Sequence, residues 1–146
     1  MVETANLPPD GVYVLVVGAC GGERIHVGAW GVLELERGWY AYVGRARRGL
    51  GARLARHFRR EGKTLRWHVD YLLRGTRLEE AWVFPLEAGE CETARSLEEG
   101  GASREGLERF GASDCRCSGH LLFMGGEKPR PPPGAFSIMS RKPDRK

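Results

Sequence analysis

The segment that most constrains this chain spans residues 38–60. It opens on Trp39, Tyr40, Ala41, Tyr42 and Val43, an aromatic and β-branched run suited to a strand. It then breaks at glycines, and from Gly49 the apolar period changes. Leu50, Leu54, His57 and Phe58 share one helical face, with Arg53 beside them and Arg56, Arg59 and Arg60 around the rest. A strand that feeds a glycine-broken turn and then a cationic helix is a device for holding a phosphate. The turn offers backbone N–H donors and the helix supplies fixed positive charge.

The strand of this segment needs partners, and the preceding residues supply them. Residues 11–17 (Gly, Val, Tyr, Val, Leu, Val, Val) are apolar without interruption, which reads as a buried central strand. Residues 18–23 make a glycine-rich turn. Residues 24–27 and 30–36 alternate as short strands, and Arg37-Gly38 forms a hairpin turn into 39–44. These runs predict an antiparallel sheet whose central strands carry Tyr13 and Tyr42.

Downstream, Glu61, Gly62 and Lys63 end the first helix. Trp67, Val69, Tyr71, Leu72 and Leu73 predict a second short helix, and 79–86 a strand that Pro85 ends or confines to a sheet edge. Residues 90–99 predict a helix with Cys91, Ala94 and Leu97 inward, stopped by Gly100 and Gly101. A shorter helix is expected over 103–110, capped by Ser103. A loop over 111–119 and a final strand over 120–124 complete the reading. Residues 1–10 are then a turn-rich lead-in. After Gly125 the chain turns to Pro, Gly and basic residues, so 126–146 is expected to be a disordered basic tail. The expected fold class is α/β (α+β), a small, mostly antiparallel sheet flanked by helices over residues 11–125.

Length and charge narrow the function classes. At 146 residues the chain fits one domain with a real core. Its formal charge of +4 is unevenly carried: residues 45–66 are dense in Arg and Lys with Glu61 as the one acid, whereas 78–108 is rich in Glu. That asymmetry points to a polyanionic partner met by one face. Residues 1–10 have neither a charged start nor an apolar run, so no secretory leader is expected. No apolar stretch approaches membrane-spanning length. Four cysteines without secretory features then suit a reducing cytoplasm, where thiols stay free or bind metal. The chain has no Gln, a single Asn (Asn6) and a preference for Arg over Lys. This fits a hot source, although a GC-rich genome gives the Arg bias too.

Three groups of residues carry the chemistry. Arg53 and His57 are spaced i,i+4, so they leave the same helical face at the edge of its apolar stripe. Most charge runs are solvated faces, but an arginine packed beside aromatic strands needs a counter-charge, and a phosphate would supply it. Tyr40 and Tyr42 share a strand face. A tyrosine hydroxyl works as a base near neutral pH only if a cation lowers its pKa or its own proton moves on. Cys115, Cys117 and His120 offer three zinc-type ligands, with Cys91 or His68 as candidates for a fourth. Packed thiols are the competing reading. His68 and Asp70, beside Trp67, are candidates to cap, pair or line the site.

The order Gly11-Val12-Tyr13, Tyr42-Val43-Gly44 and Arg53-Leu54-Ala55-Arg56-His57-Phe58 resembles the GIY-YIG nuclease superfamily, which includes the N-terminal nuclease of the UvrC repair protein. More specifically, residues 11–124 resemble an uncharacterised, largely archaeal GIY-YIG-like family. The segments 67–73 and 113–121 carry that likeness. Related domains occur fused to endonuclease III-like glycosylases. The resemblance implies a GIY-YIG-like fold and metal-dependent DNA endonuclease activity in repair or processing. It further implies DNA as a partner, and a glycosylase or other repair protein as a second one. On this reading Tyr13 activates or orients the attacking water and Tyr42 hydrogen-bonds within the same site. Gly44 lets the backbone turn closely beneath the phosphate, Arg45 contributes charge, Arg53 stabilises the transition state and His57 shuttles or positions a proton. A helix-borne glutamate holds Mg²⁺ or Mn²⁺, with Glu92 preferred and Glu90 the alternative. The long gap between Tyr13 and Tyr42 implies an inserted hairpin, and Arg45 stands where UvrC-like domains carry Lys. A non-catalytic nucleic-acid-binding module on the same fold is the rival reading.

Overall fold

The structure is a computed structural model and describes residues 7–59, 65, 67–111, 119–135 and 137–140. In chain order the elements are β1 (Gly11–Ala19), β2 (Glu23–Val27), β3 (Gly31–Leu35), β4 (Gly38–Ala46), α1 (Leu50–Phe58), α2 (His68–Gly75), β5 (Arg77–Phe84), α3 (Glu90–Glu99), β6 (Leu121–Gly125) and β7 (Ser137–Ser140). The fold is α+β. A five-stranded antiparallel sheet, ordered β6-β4-β1-β5-β7, is flanked by the three helices.

The uninterrupted apolar run of β1 has a direct structural cause. The strand is central, paired with β4 on one side and β5 on the other, and covered on both faces. Val12, Val14 and Val16 join Trp82, Phe84, Leu122 and Ala94 of α3 in one buried layer. Tyr13, Leu15 and Val17 face the other way, into a larger layer with Tyr40 and Tyr42 of β4, Leu50, Leu54 and Phe58 of α1, and Leu72 and Leu73 of α2. Both tyrosines named from the sequence therefore lie on the α1 face.

The inserted hairpin is β2–β3. It forms a two-stranded sheet of its own instead of extending the main sheet. Its strict alternation explains this: Ile25, Val27, Leu33 and Leu35 are buried, while Arg24, His26, Val32 and Glu34 are exposed. A strand apolar on one side only cannot occupy a layer covered on both. It lies instead against α2, where a Cβ on Gly75 would stand 2.6 Å from Ile25 Cδ1.

Two expectations are corrected. Residues 103–110 are not a helix. Ser103 makes an antiparallel bridge with Phe123 through two backbone hydrogen bonds (3.0 and 2.8 Å), and Gly106 and Arg109 take left-handed φ values of 77° and 66°. Left-handed backbone at two positions breaks the helical path. The basic tail is likewise not wholly disordered, because residues 137–140 form β7 and pair with β5, burying Met139. Pro85 follows the last residue of β5 and ends it, and β5 is not an edge. The expected helix stop at Glu61, Gly62 and Lys63 lies outside the described residues; α1 ends at Phe58. No helix of the described residues is long and apolar enough to cross a membrane.

Candidate active site

A cavity of about 480 Å³ opens where β6 stops short of β4. The last β6 pairing is Tyr42 with Leu121, and Val43 N–H then donates to His120 O at 2.9 Å. Beyond that point β4 continues to Ala46 without β6 beside it, and the N-terminus of α3 reaches the same end. Tyr13, Tyr42, Gly44, Arg45, Arg53 and Glu90 all line the cavity, with Arg47, Arg48 and His68 also in its wall.

Tyr13 is cross-strand partner to Gly44, and this pairing sets the floor. A Cβ on residue 44 would lie 2.6 Å from both Cζ and the hydroxyl oxygen of Tyr13. The glycine is thus needed inside β4 to seat the tyrosine ring. Gly44→Ala is expected to displace that ring and cost about 1–3 kcal/mol as overpacking, read by denaturant melts. A variant as stable as the parent would contradict this packing.

The Tyr13 hydroxyl lies 3.0 Å from His57 Nε2, both groups being buried, and the rings are 5.4 Å apart. Burial pushes the Tyr13 pKa up to about 12; Arg53 pulls it down in part, while Glu90 and Asp70 add to the rise. The phenol is therefore protonated at neutral pH. His57 does not line the cavity but stands behind Tyr13. Tyr42 packs edge-on against Phe110, and burial raises its pKa further. Gly111 (φ 73°) closes over it, since a Cβ there would approach the Tyr42 hydroxyl to 2.9 Å.

Arg53 extends from α1 one turn before His57. Its Nη1 donates to Arg45 O at 3.0 Å and its guanidinium lies over the Trp67 ring, 4.9 Å from the centroid. Arg56, one turn further round, makes a two-pronged bond to the fully buried Asp70 (2.7 and 3.0 Å). His68 Nδ1 accepts the Gly111 N–H at 3.0 Å, which in the neutral ring leaves its proton on Nε2. Burial favours that neutral ring by lowering its pKa. The sequence offered Asp70 and His68 several roles; Asp70 caps and pairs, and His68 lines the cavity. Trp67, Arg47, Arg48 and Gly111 were not singled out as site residues; the density of arginines after Gly44 signalled Arg47 and Arg48, the family likeness of 67–73 included Trp67, and nothing signalled Gly111.

The structure separates the two candidate glutamates. Glu90 lines the cavity, 17% exposed, with Oε1 3.2 Å from Arg45 Nε and Oε2 3.6 Å from His120 Nδ1. Glu92, the residue preferred from sequence, is exposed and curls back over Gly89, where a Cβ would meet its Oε1 at 2.2 Å. Two residues along a helix are about 200° apart, so only one of the pair can face the site. Among the described residues, Glu90 is the one carboxylate in the lining. A single carboxylate at the wall of a cavity fits Mg²⁺ or Mn²⁺, which keep several waters and accept phosphate oxygens. No group of three or more His, Cys, Asp or Glu is gathered for a metal among the described residues. His120 is buried; burial first, then Arg104, Arg109 and Arg45, lower its pKa to about 4. Its Nε2 is 3.6 Å from Cys91 Sγ. Cys115 and Cys117 lie outside the described residues.

A profile of the family described as "Domain of unknown function DUF123" matches residues 12–132, from β1 to beyond β6. No curated protein and no solved structure matches the chain. The match covers most of the sequence and encloses every lining residue of the cavity, so the chain belongs to DUF123, a GIY-YIG-like family.

Proposed function

We propose that the chain is a divalent-metal-dependent DNA endonuclease of GIY-YIG type, working in the cytoplasm in DNA repair or processing. The observation that carries this reading is the Tyr13–His57 hydrogen bond of 3.0 Å at the floor of an arginine-rich cavity that Glu90 also lines. A tyrosine protonated at neutral pH cannot take a proton from water unless it passes its own on. His57 Nε2 is placed to receive it, so the pair acts as one base. Water attacks phosphorus as its proton moves to Tyr13 and the phenol proton moves to His57, the P–O bond to the leaving sugar oxygen breaks, and that oxygen takes a proton from solvent water. Arg53 answers the charge that builds on the phosphoryl oxygens, where a permanently charged planar fork suits better than an ammonium. Tyr42 and Gly111 wall the cavity, and Arg45, Arg47 and Arg48 draw the DNA backbone toward it. Glu90 would hold the metal, which when bound supplies Lewis-acid stabilisation of the phosphoryl oxygens.

Incubating the protein with branched, flapped and plasmid DNA plus Mg²⁺ or Mn²⁺ tests the reading. Cleavage is expected, and intact DNA under every condition would overturn it. One contact favours the rival: Arg45 already neutralises Glu90 at 3.2 Å, as a pure binding module would allow. That module binds DNA with steep salt dependence and no need for metal. A structural Zn²⁺ at Cys115, Cys117 and His120 is proposed alongside, supported by the Cys91–His120 contact. Delivery of DNA by a glycosylase or other repair protein is part of the same proposal.

A further inference from the structure

Arg53 belongs to a layered arrangement that the proposed chemistry above leaves unused. Among the described residues, two guanidiniums lie on the Trp67 ring, Arg53 Cζ at 4.9 Å and Arg56 Cζ at 4.7 Å from the centroid. Arg56 is in turn fixed by Asp70, a carboxylate with no exposed surface, through Nη1–Oδ1 (2.7 Å) and Nη2–Oδ2 (3.0 Å). The same Oδ2 accepts the Trp67 backbone N–H at 3.0 Å.

A buried carboxylate is tolerated only when its oxygens are well bonded, and among the described residues the bonds run to two different elements. One joins α1 through Arg56. The other holds the backbone immediately before α2 through Trp67. Asp70 thereby fixes where the indole sits relative to the helix that carries Arg53. The indole face attracts a cation, and Arg53 Nη1 is tied at the same time to Arg45 O at 3.0 Å. Two directional contacts remove most of the rotamer freedom of a long side chain that lies at the wall of the cavity.

We propose that Trp67 is a positioning residue for Arg53, an aromatic platform locked by the Asp70–Arg56 pair that aims the guanidinium into the cavity before substrate arrives. The proposal rests on the nuclease reading for the nature of the substrate. The aim of Arg53 itself belongs to the free protein. Preorganisation of this kind speeds the chemical step and changes ground-state binding little, because the contact is in place before and after DNA binds.

The test uses the full chain with Trp67→Leu and Trp67→Phe. In ¹H–¹⁵N spectra, an Arg53 Nε–H signal assigned by its loss in Arg53→Lys should be dispersed in the parent. It should collapse toward the solvent-averaged position in Trp67→Leu and largely return in Trp67→Phe. Single-turnover cleavage at saturating DNA should fall roughly tenfold in Trp67→Leu with the DNA dissociation constant nearly unchanged, the size of effect a desolvated cation–π contact commands. In an Arg53→Ala background the same substitution should cost nothing further. If Trp67→Leu does not fold, biosynthetic replacement of tryptophan by a ring-fluorinated analogue weakens the face without changing its shape. That change should shift the Arg53 signal in the parent and not in Trp67→Phe. An Arg53 signal indifferent to these changes, or an equal loss of rate in the Arg53→Ala background, overturns the proposal. Absence of cleavage by the parent would instead remove the nuclease reading, and the spectra would still decide the positioning role.

Discussion

Arg53→Ala is expected to lower single-turnover DNA cleavage by about 10²–10³, the range seen when one preorganised donor to a developing oxyanion is lost. Binding should barely change by comparison. Arg45, Arg47 and Arg48 remain at the cavity, so the variant loses one phosphate contact and the salt slope of binding shrinks by about one. Arg53→Lys should recover part of the loss, because charge returns without the fork that bonds Arg45 O and lies over Trp67. A protein that cuts equally well without Arg53 would remove the reason for placing the reaction in this cavity.

The second large effect separates two neighbouring acids. Glu90→Gln is expected to reduce metal-dependent cleavage by ~100-fold or more, since outer-shell changes alone cost metal sites 10–100-fold and this change removes the ligand. Glu92→Gln should stay within about a factor of two, as exposed substitutions away from a site do. Mn²⁺ binding followed by electron paramagnetic resonance gives the same comparison without turnover, with affinity lost in Glu90→Gln and kept in Glu92→Gln. The opposite pattern would return the role to Glu92 and require α3 to turn.

The pair also shows where the sequence ceased to be legible. Helical periodicity over 90–99 located α3 and put Ala94 inward, and the structure agrees. Glu90 and Glu92 both fall in the first turn, however, and which of them faces the sheet end depends on how α3 docks beside β4. That docking is set by Ala94 and Leu97 packing under Val12, Val14 and Val43, a long-range fact with no local signature. Gly44 had a similar fate: its identity was informative, but the reason for it was Tyr13, a partner 31 positions earlier across β1 and β4.

The two-face burial of β1 and the one-face burial of β2 and β3 were plain in the sequence, because periodicity records the faces of a strand. The β7 pairing was not, since a short run after a Pro-rich stretch carries too little apolar pattern to distinguish it from a coil. The Arg53–His57 spacing placed both residues on one face of α1. The structure adds that His57 reaches Tyr13 from behind, whereas Arg53 reaches the cavity from the side.

Cutting and gripping DNA are the two outcomes this cavity allows, and cutting is the one expected. Binding and cleavage of one labelled DNA, followed in the same single-turnover samples with Mg²⁺ present and with a chelator, separate the two. Binding is expected in both conditions, and broken phosphodiester bonds only with the metal. Equal binding with intact DNA in both, across Mg²⁺ and Mn²⁺, would contradict cutting and leave a cationic binding module built on the same fold.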